Sequence, residues 1–212
     1  MHRYAFLFAF AAGILLLVSR ATAGDKDFVD LFNGKDLAGW KTYPEKGGDK
    51  VFSVQDDFIK VAGKPAGYFY TDKSYKNYVL RYDWRYKRPD KLEDDKKFGG
   101  NSGLLLHITG DHKVWPNSLE VQGANSSHAS FISIGKTGLK DYKFDGKALA
   151  EARKKVGEWN TTEVTVKNGA VSVKVNGTPV SWGTITLESG PFGFQSEGAE
   201  LHYKNIKIKV MD

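Results

Sequence analysis

Apolar and polar residues alternate with a period of two along most of this chain. That pattern restricts it to β-strands, because successive strand side chains point to opposite faces of a sheet. The clearest case is a hairpin. Glu163–Val166 and Val171–Val175 alternate valine with polar residues, and Lys167-Asn-Gly-Ala170 supplies the turn. The same reading predicts strands at Phe28–Phe32, Val51–Val54, Phe58–Val61, Tyr68–Tyr70, Tyr78–Tyr86, Gly103–Ile108, Ser118–Gln122, Thr184–Leu187, Phe192–Gln195 and Glu200–Val210. Asn33-Gly34, Asp56-Asp57 and Asn176-Gly177 punctuate them as turns. One helical turn is expected around Ala148–Lys155. Arg88–Gly100 is charged and glycine-ended, which predicts a mobile loop at a sheet edge. Ala124–Gly146 reads as irregular. Many short strands with glycine-rich turns give an all-β class, either a β-sandwich or a closed barrel.

The first residues stand apart from this pattern. His2 and Arg3 precede an unbroken apolar run, Phe6–Val18, and Ala21-Thr-Ala23 offers small residues where a signal peptidase cuts. The expectation is a signal peptide over residues 1–23 and one domain over 24–212, with no membrane span after cleavage. A retained N-terminal anchor is the alternative. Export to the periplasm or beyond would permit disulfides, yet the chain has no cysteine. Thiol catalysis and cysteine-ligated zinc are thereby excluded. The net charge of +6 falls to +4 if Arg3 and Arg20 leave with the signal. Lys204, Lys207 and Lys209 alternate with apolar residues as the wet side of a strand would. No basic stripe marks a nucleic-acid partner.

Chemistry is concentrated between residues 101 and 122. By strand parity, Leu104, Leu106 and Ile108 share one face, and Gly103, Leu105 and His107 the other. Leu119 and Val121 likewise oppose Glu120 and Gln122. A histidine, a carboxylate and an amide then share a surface near Trp115, as a carbohydrate site would need. Spacing alone favours ordinary solvated strand faces. Glu120, Gln122, Glu197 and His107 could converge on a hard divalent cation, although no calcium-loop motif is visible and no cofactor is indicated. The chain contains no Gly-x-Ser-x-Gly elbow, phosphate loop or dinucleotide fingerprint.

Four motifs, in order, resemble one family. Asp30-Leu-Phe-Asn-Gly-Lys-Asp-Leu-Ala-Gly-Trp40, Asn101-Ser-Gly103, Glu120-Val-Gln122 and Gly190-Pro-Phe-Gly-Phe-Gln-Ser-Glu-Gly198 are similar to segments of the bacterial 3-keto-disaccharide hydrolase domain family. The resemblance spans about residues 28 to 210. It implies a concanavalin-A-like jelly-roll β-sandwich of two antiparallel sheets. It also implies cleavage of glycosides oxidised at C3, by hydrolysis or by β-elimination and hydration. On that footing Glu120 and His107 are the expected proton-transfer pair. Asn101, Gln122, Gln195 and Glu197 are expected to hold an oxidised oligosaccharide, with Trp40 or Trp115 stacking on a ring. The chain carries His107 where the family often has arginine, and Glu197 where it often has histidine. The same sandwich without chemistry would be a carbohydrate-binding module of the cell envelope, and a purely structural envelope protein is a third possibility.

Overall fold

The computed structural model describes residues 26–212, so the expected signal peptide lies outside the described residues. In chain order the strands are β1 (Val29–Asp30), β2 (Trp40–Tyr43), β3 (Phe52–Gln55), β4 (Phe58–Val61), β5 (Gly67–Thr71), β6 (Tyr78–Tyr86), β7 (Gly103–Thr109) and β8 (Asn117–Gln122). They continue with β9 (Phe131–Ile134), β10 (Lys140–Phe144), β11 (Asn160–Lys167), β12 (Ala170–Val175), β13 (Thr178–Thr184), β14 (Gly193–Ser196) and β15 (Leu201–Val210). Two short α-helices interrupt them, α1 (Gly48–Val51) and α2 (Gly146–Ala152). The second lies close to the expected helical turn. It is capped by Asp145, whose side chain accepts from the Lys147 and Ala148 N–H groups.

The strands form two antiparallel sheets. One is nine-stranded, in the order β10-β13-β12-β11-β6-β15-β4-β3 with β1 added on β15, and the other is six-stranded, β2-β5-β14-β7-β8-β9. This is the all-β class expected from the alternation and the sandwich of two antiparallel sheets that the family resemblance implies. The inner faces meet in one apolar core. Leu104, Leu106, Leu119, Val121, Phe69 and Phe194 come from the smaller sheet, against Leu80, Tyr82, Val164, Val173, Tyr203 and Ile208 from the larger. Burying such side chains contributes about 1.5–3 kcal/mol each, which holds a chain without disulfides together.

Three expectations need correction. The stretch Ala124–Gly146 is not irregular: it holds β9 and β10, edge strands whose exposed residues show little alternation of burial. Thr184–Leu187 is not a strand. The pairing segment is Thr178–Thr184, hidden in the sequence by Pro179 and by a register shift opposite Val173 and Lys174. Arg88–Gly100 is tied down instead of loose. Arg88 meets Asp95 at 2.6 Å, the other Asp95 oxygen accepts from the Val156 N–H at 2.8 Å, and the Asn125 amide donates to the Asp95 and Phe98 carbonyls.

Candidate functional site on the smaller sheet

Cross-strand register builds the site. On the outer face of the smaller sheet, Lys41 pairs with Tyr70, Tyr70 with Gly193, Gly193 with Leu105, Leu105 with Glu120 and Glu120 with Ile132. A second row runs from Tyr43 to Tyr68 to Gln195, and Gly103 pairs with Gln122 at its far end. Leu119 and Val121 point the other way into the core, as parity predicted.

Glu120 and Gln195 meet over Gly103. A Cβ placed on Gly103 would lie 2.4 Å from Glu120 Oε1 and 2.2 Å from Gln195 Oε1. A glycine is therefore required at this point of close approach. Glu120 is 5% exposed and Gln195 2%, and both of these oxygens lack a hydrogen-bond partner, as does Asn101 Oδ1. Buried acceptors without donors are costly. Their convergence describes a place for ligand hydroxyls. Burial pushes the Glu120 carboxyl up to about 7, with the Glu197 charge adding to the rise. Burial also raises Glu197, opposed by the Trp115 and Asn101 side chains. Glu120, Glu197, Asn101, Gln195 and Trp115 therefore form one neighbourhood. Trp115 is 54% exposed beside it.

Two expected residues are placed differently, and a third is in place but engaged by the backbone. His107 was expected beside Glu120, but it has left the outer face. The β7–β8 register shifts between Leu106 and Thr109, and His107 takes φ 51°, so a β-bulge breaks the parity on which the expectation rested. The ring is fully buried against Tyr78, with Nδ1 3.0 Å from the Leu187 carbonyl, and burial lowers its pKa. Trp40 packs on Phe69, Phe192 and Phe194, and its indole N–H donates to the Leu31 carbonyl at 2.8 Å. It is a partly buried plug of the core, beside the cleft lined by Tyr43, Tyr70 and His112 and away from Glu120. Gln122 remains on the site face, but its Oε1 accepts from the Ala124 N–H at 2.8 Å, so it shapes the turn after β8. Because His107 is turned away, it does not join a cation set. Among the described residues no group of three or more His, Cys, Asp or Glu side chains is placed to hold a metal.

Sequence reasoning missed an aromatic cluster beside Gln195. Tyr68 is fully buried, its hydroxyl 2.7 Å from His112 Nδ1. Tyr43 stacks on Tyr68 with centroids 5.5 Å apart, and Tyr70 lies 4.5 Å from the His112 ring. The unbroken aromatic run Tyr68-Phe-Tyr70 was the available signal: with Phe69 in the core, its neighbours must be covered from the other side.

Residues 27–209 match the model of the 3-keto-alpha-glucoside-1,2-lyase-like domain. A curated 3-keto-disaccharide hydrolase from Bacteroides thetaiotaomicron is 21% identical, covering 87% of this chain and 79% of its own length. A crystal structure from Parabacteroides distasonis, of a candidate glycosyl hydrolase, superposes with a TM-score of 0.65 at 24% identity, covering 91% of this chain and 98% of that one. The carbohydrate-binding module CBM66 from Bacillus subtilis superposes with a TM-score of 0.53 at 12% identity, covering 81% and 95%. At these identities the structures speak for the shared fold. The family match covers most of the chain, which therefore belongs to the 3-keto-alpha-glucoside-1,2-lyase-like domain family.

Proposed function

We propose that this protein is an exported carbohydrate-active enzyme that cleaves the glycosidic bond of 3-keto-glycosides, with Glu120 as the proton-transfer residue. The observation that carries the reading is the Glu120 carboxyl, buried on the sheet face with Oε1 unpartnered over Gly103 and Glu197 beside it. A carboxyl held near neutrality can exchange a proton in both directions at physiological pH. The ketone at C3 acidifies the C2 proton. Glu120 removes that proton, the C1–O bond breaks, and the leaving oxygen takes up a proton. Water then adds across the C1–C2 double bond, OH to C1 and H to C2, so the net result is hydrolysis. The unpartnered oxygens of Asn101 and Gln195 accept from sugar hydroxyls. The signal-like segment before Gly24 supports export.

The test is to incubate the purified protein with a 3-keto-disaccharide and with its unoxidised parent, following sugar release by chromatography. Release from the keto form alone is the expected result. Cleavage of both would replace elimination with ordinary glycoside hydrolysis. Binding of both without release would make the domain a carbohydrate-binding module, for which a buried carboxyl near neutrality has no use.

A further inference from the structure

We infer that the cleft beside the aromatic cluster is a subsite for a second pyranose ring, the leaving-group sugar of the substrate. This rests on the proposed function and adds the part of the substrate that departs. The cleft is about 650 Å³ and is lined by Lys41, Thr42, Tyr43, Glu45, Tyr70 and His112, among others. Tyr68, under the cluster, pairs in register with Gln195, so this wall adjoins the site that holds Glu120. From Gly103 on β7, β5 is two strands away, about 10 Å at the usual strand spacing, which is the reach of the far side of a disaccharide's second ring.

The lining chemistry selects a pyranose. Tyr43 packs one ring face on Tyr68 and Tyr70 packs one against His112, so the remaining ring surface that each turns to the cleft is what meets the C–H side of a sugar. Lys41, Thr42, Glu45 and His112 offer polar groups to its hydroxyl edge. His112 is set for this by Tyr68. Burial raises the Tyr68 pKa, so its hydroxyl keeps its proton, and burial together with Lys41 keeps His112 neutral. Tyr68 then donates to Nδ1, and the proton of His112 resides on Nε2 as a fixed donor. Both His112 and Trp115 come from the loop joining β7 and β8, which folds back over the sheet face. One loop thereby serves both halves of the substrate.

The experiment measures calorimetric binding of a 3-keto-disaccharide and of methyl 3-keto-glucoside to the Glu120→Gln protein, in which turnover is arrested. It is repeated with Tyr70→Ala, Tyr70→Trp or His112→Ala added, each checked for retained thermal unfolding. The disaccharide is expected to bind about tenfold tighter than the methyl glycoside, the worth of roughly one aromatic contact. Tyr70→Ala and His112→Ala should each remove most of that difference, and Tyr70→Trp should keep it. Equal affinities for the two ligands, or equal losses for both in Tyr70→Ala, would overturn the subsite and leave the proposed function standing. Absence of binding by either ligand would overturn both.

Discussion

Replacing Gly103 with alanine adds one methyl group where Glu120 and Gln195 meet. The new carbon would lie 2.2 Å from Gln195 Oε1, 2.4 Å from Glu120 Oε1 and 2.8 Å from Glu120 Cγ. Contacts below 3.4 Å are tighter than nearly all real ones, so both oxygens must retreat by about 1 Å. The backbone is extended at this residue, within β7, so alanine brings no left-handed strain. A displacement of about 1 Å in a proton-transfer group costs about 10²-fold in rate. Gly103→Ala should therefore lose about 10²-fold in kcat on a 3-keto-disaccharide, while overpacking lowers its stability by about 1–3 kcal/mol and leaves the chain folded. Initial rates of sugar release and equilibrium urea unfolding measure the two quantities. Turnover within about threefold of the parent, with the fold intact, would refute the claim that chemistry occurs above Gly103.

Glu120→Gln should lose about 10²–10⁴ in kcat, and Glu197→Gln should move the acid limb of kcat/KM to lower pH, because removing a like charge lowers the Glu120 pKa from about 7; an unmoved limb would show that another group titrates. The raised folded-state pKa of Glu120 gives stability that is present below the unfolded value and lost as pH rises through about 7. Glu120→Gln should accordingly be more stable than the parent at pH 8, by up to about 3 kcal/mol, and no more stable at pH 4; urea midpoints at the two values decide. His107→Ala should cost about 2–4 kcal/mol of stability by opening a cavity, with the pH limb of activity unmoved, whereas a proton-transfer role would move it. The pKa values of His107, His128 and His202 are lowered by burial, so the unfolded chain binds more protons at these groups; in the Glu120→Gln background, which removes the opposing carboxyl, stability should fall as pH drops below about 6.5, and flat urea midpoints of that variant between pH 7 and 5 would contradict this.

Alternation identified the all-β class because each strand that covers the core buries one face, as β6 does along Tyr78–Tyr86; the choice of a sandwich over a barrel came from the family motifs. It failed where that condition lapses. The edge strands β9 and β10 have little to bury, so they carry no period. Parity placed Glu120 correctly because β8 keeps its register through Leu119–Gln122, opposite Gly103–Leu106. It misplaced His107 because one extra residue in β7 reverses every face beyond it, and no glycine marks the bulge. The Tyr68–His112 contact was invisible for another reason: it depends on which loop folds onto which sheet, and that information is not local. Asn101, Gln195 and Glu197 came from the family motifs, and register then brought them together.

The loop between β7 and β8 has an evolutionary corollary. Glu120 and Gln195 stand on strands of one sheet, where a change of length would shift the register. His112 and Trp115 stand on a connection that tolerates insertion and deletion. If the proposed subsite holds, the cleft lined by His112 can be reshaped by altering one short connection while Glu120 and Gln195 keep their register. For an engineer testing that subsite, residues 110–114 are the segment to randomise, with Trp115 and the strand residues beneath held constant.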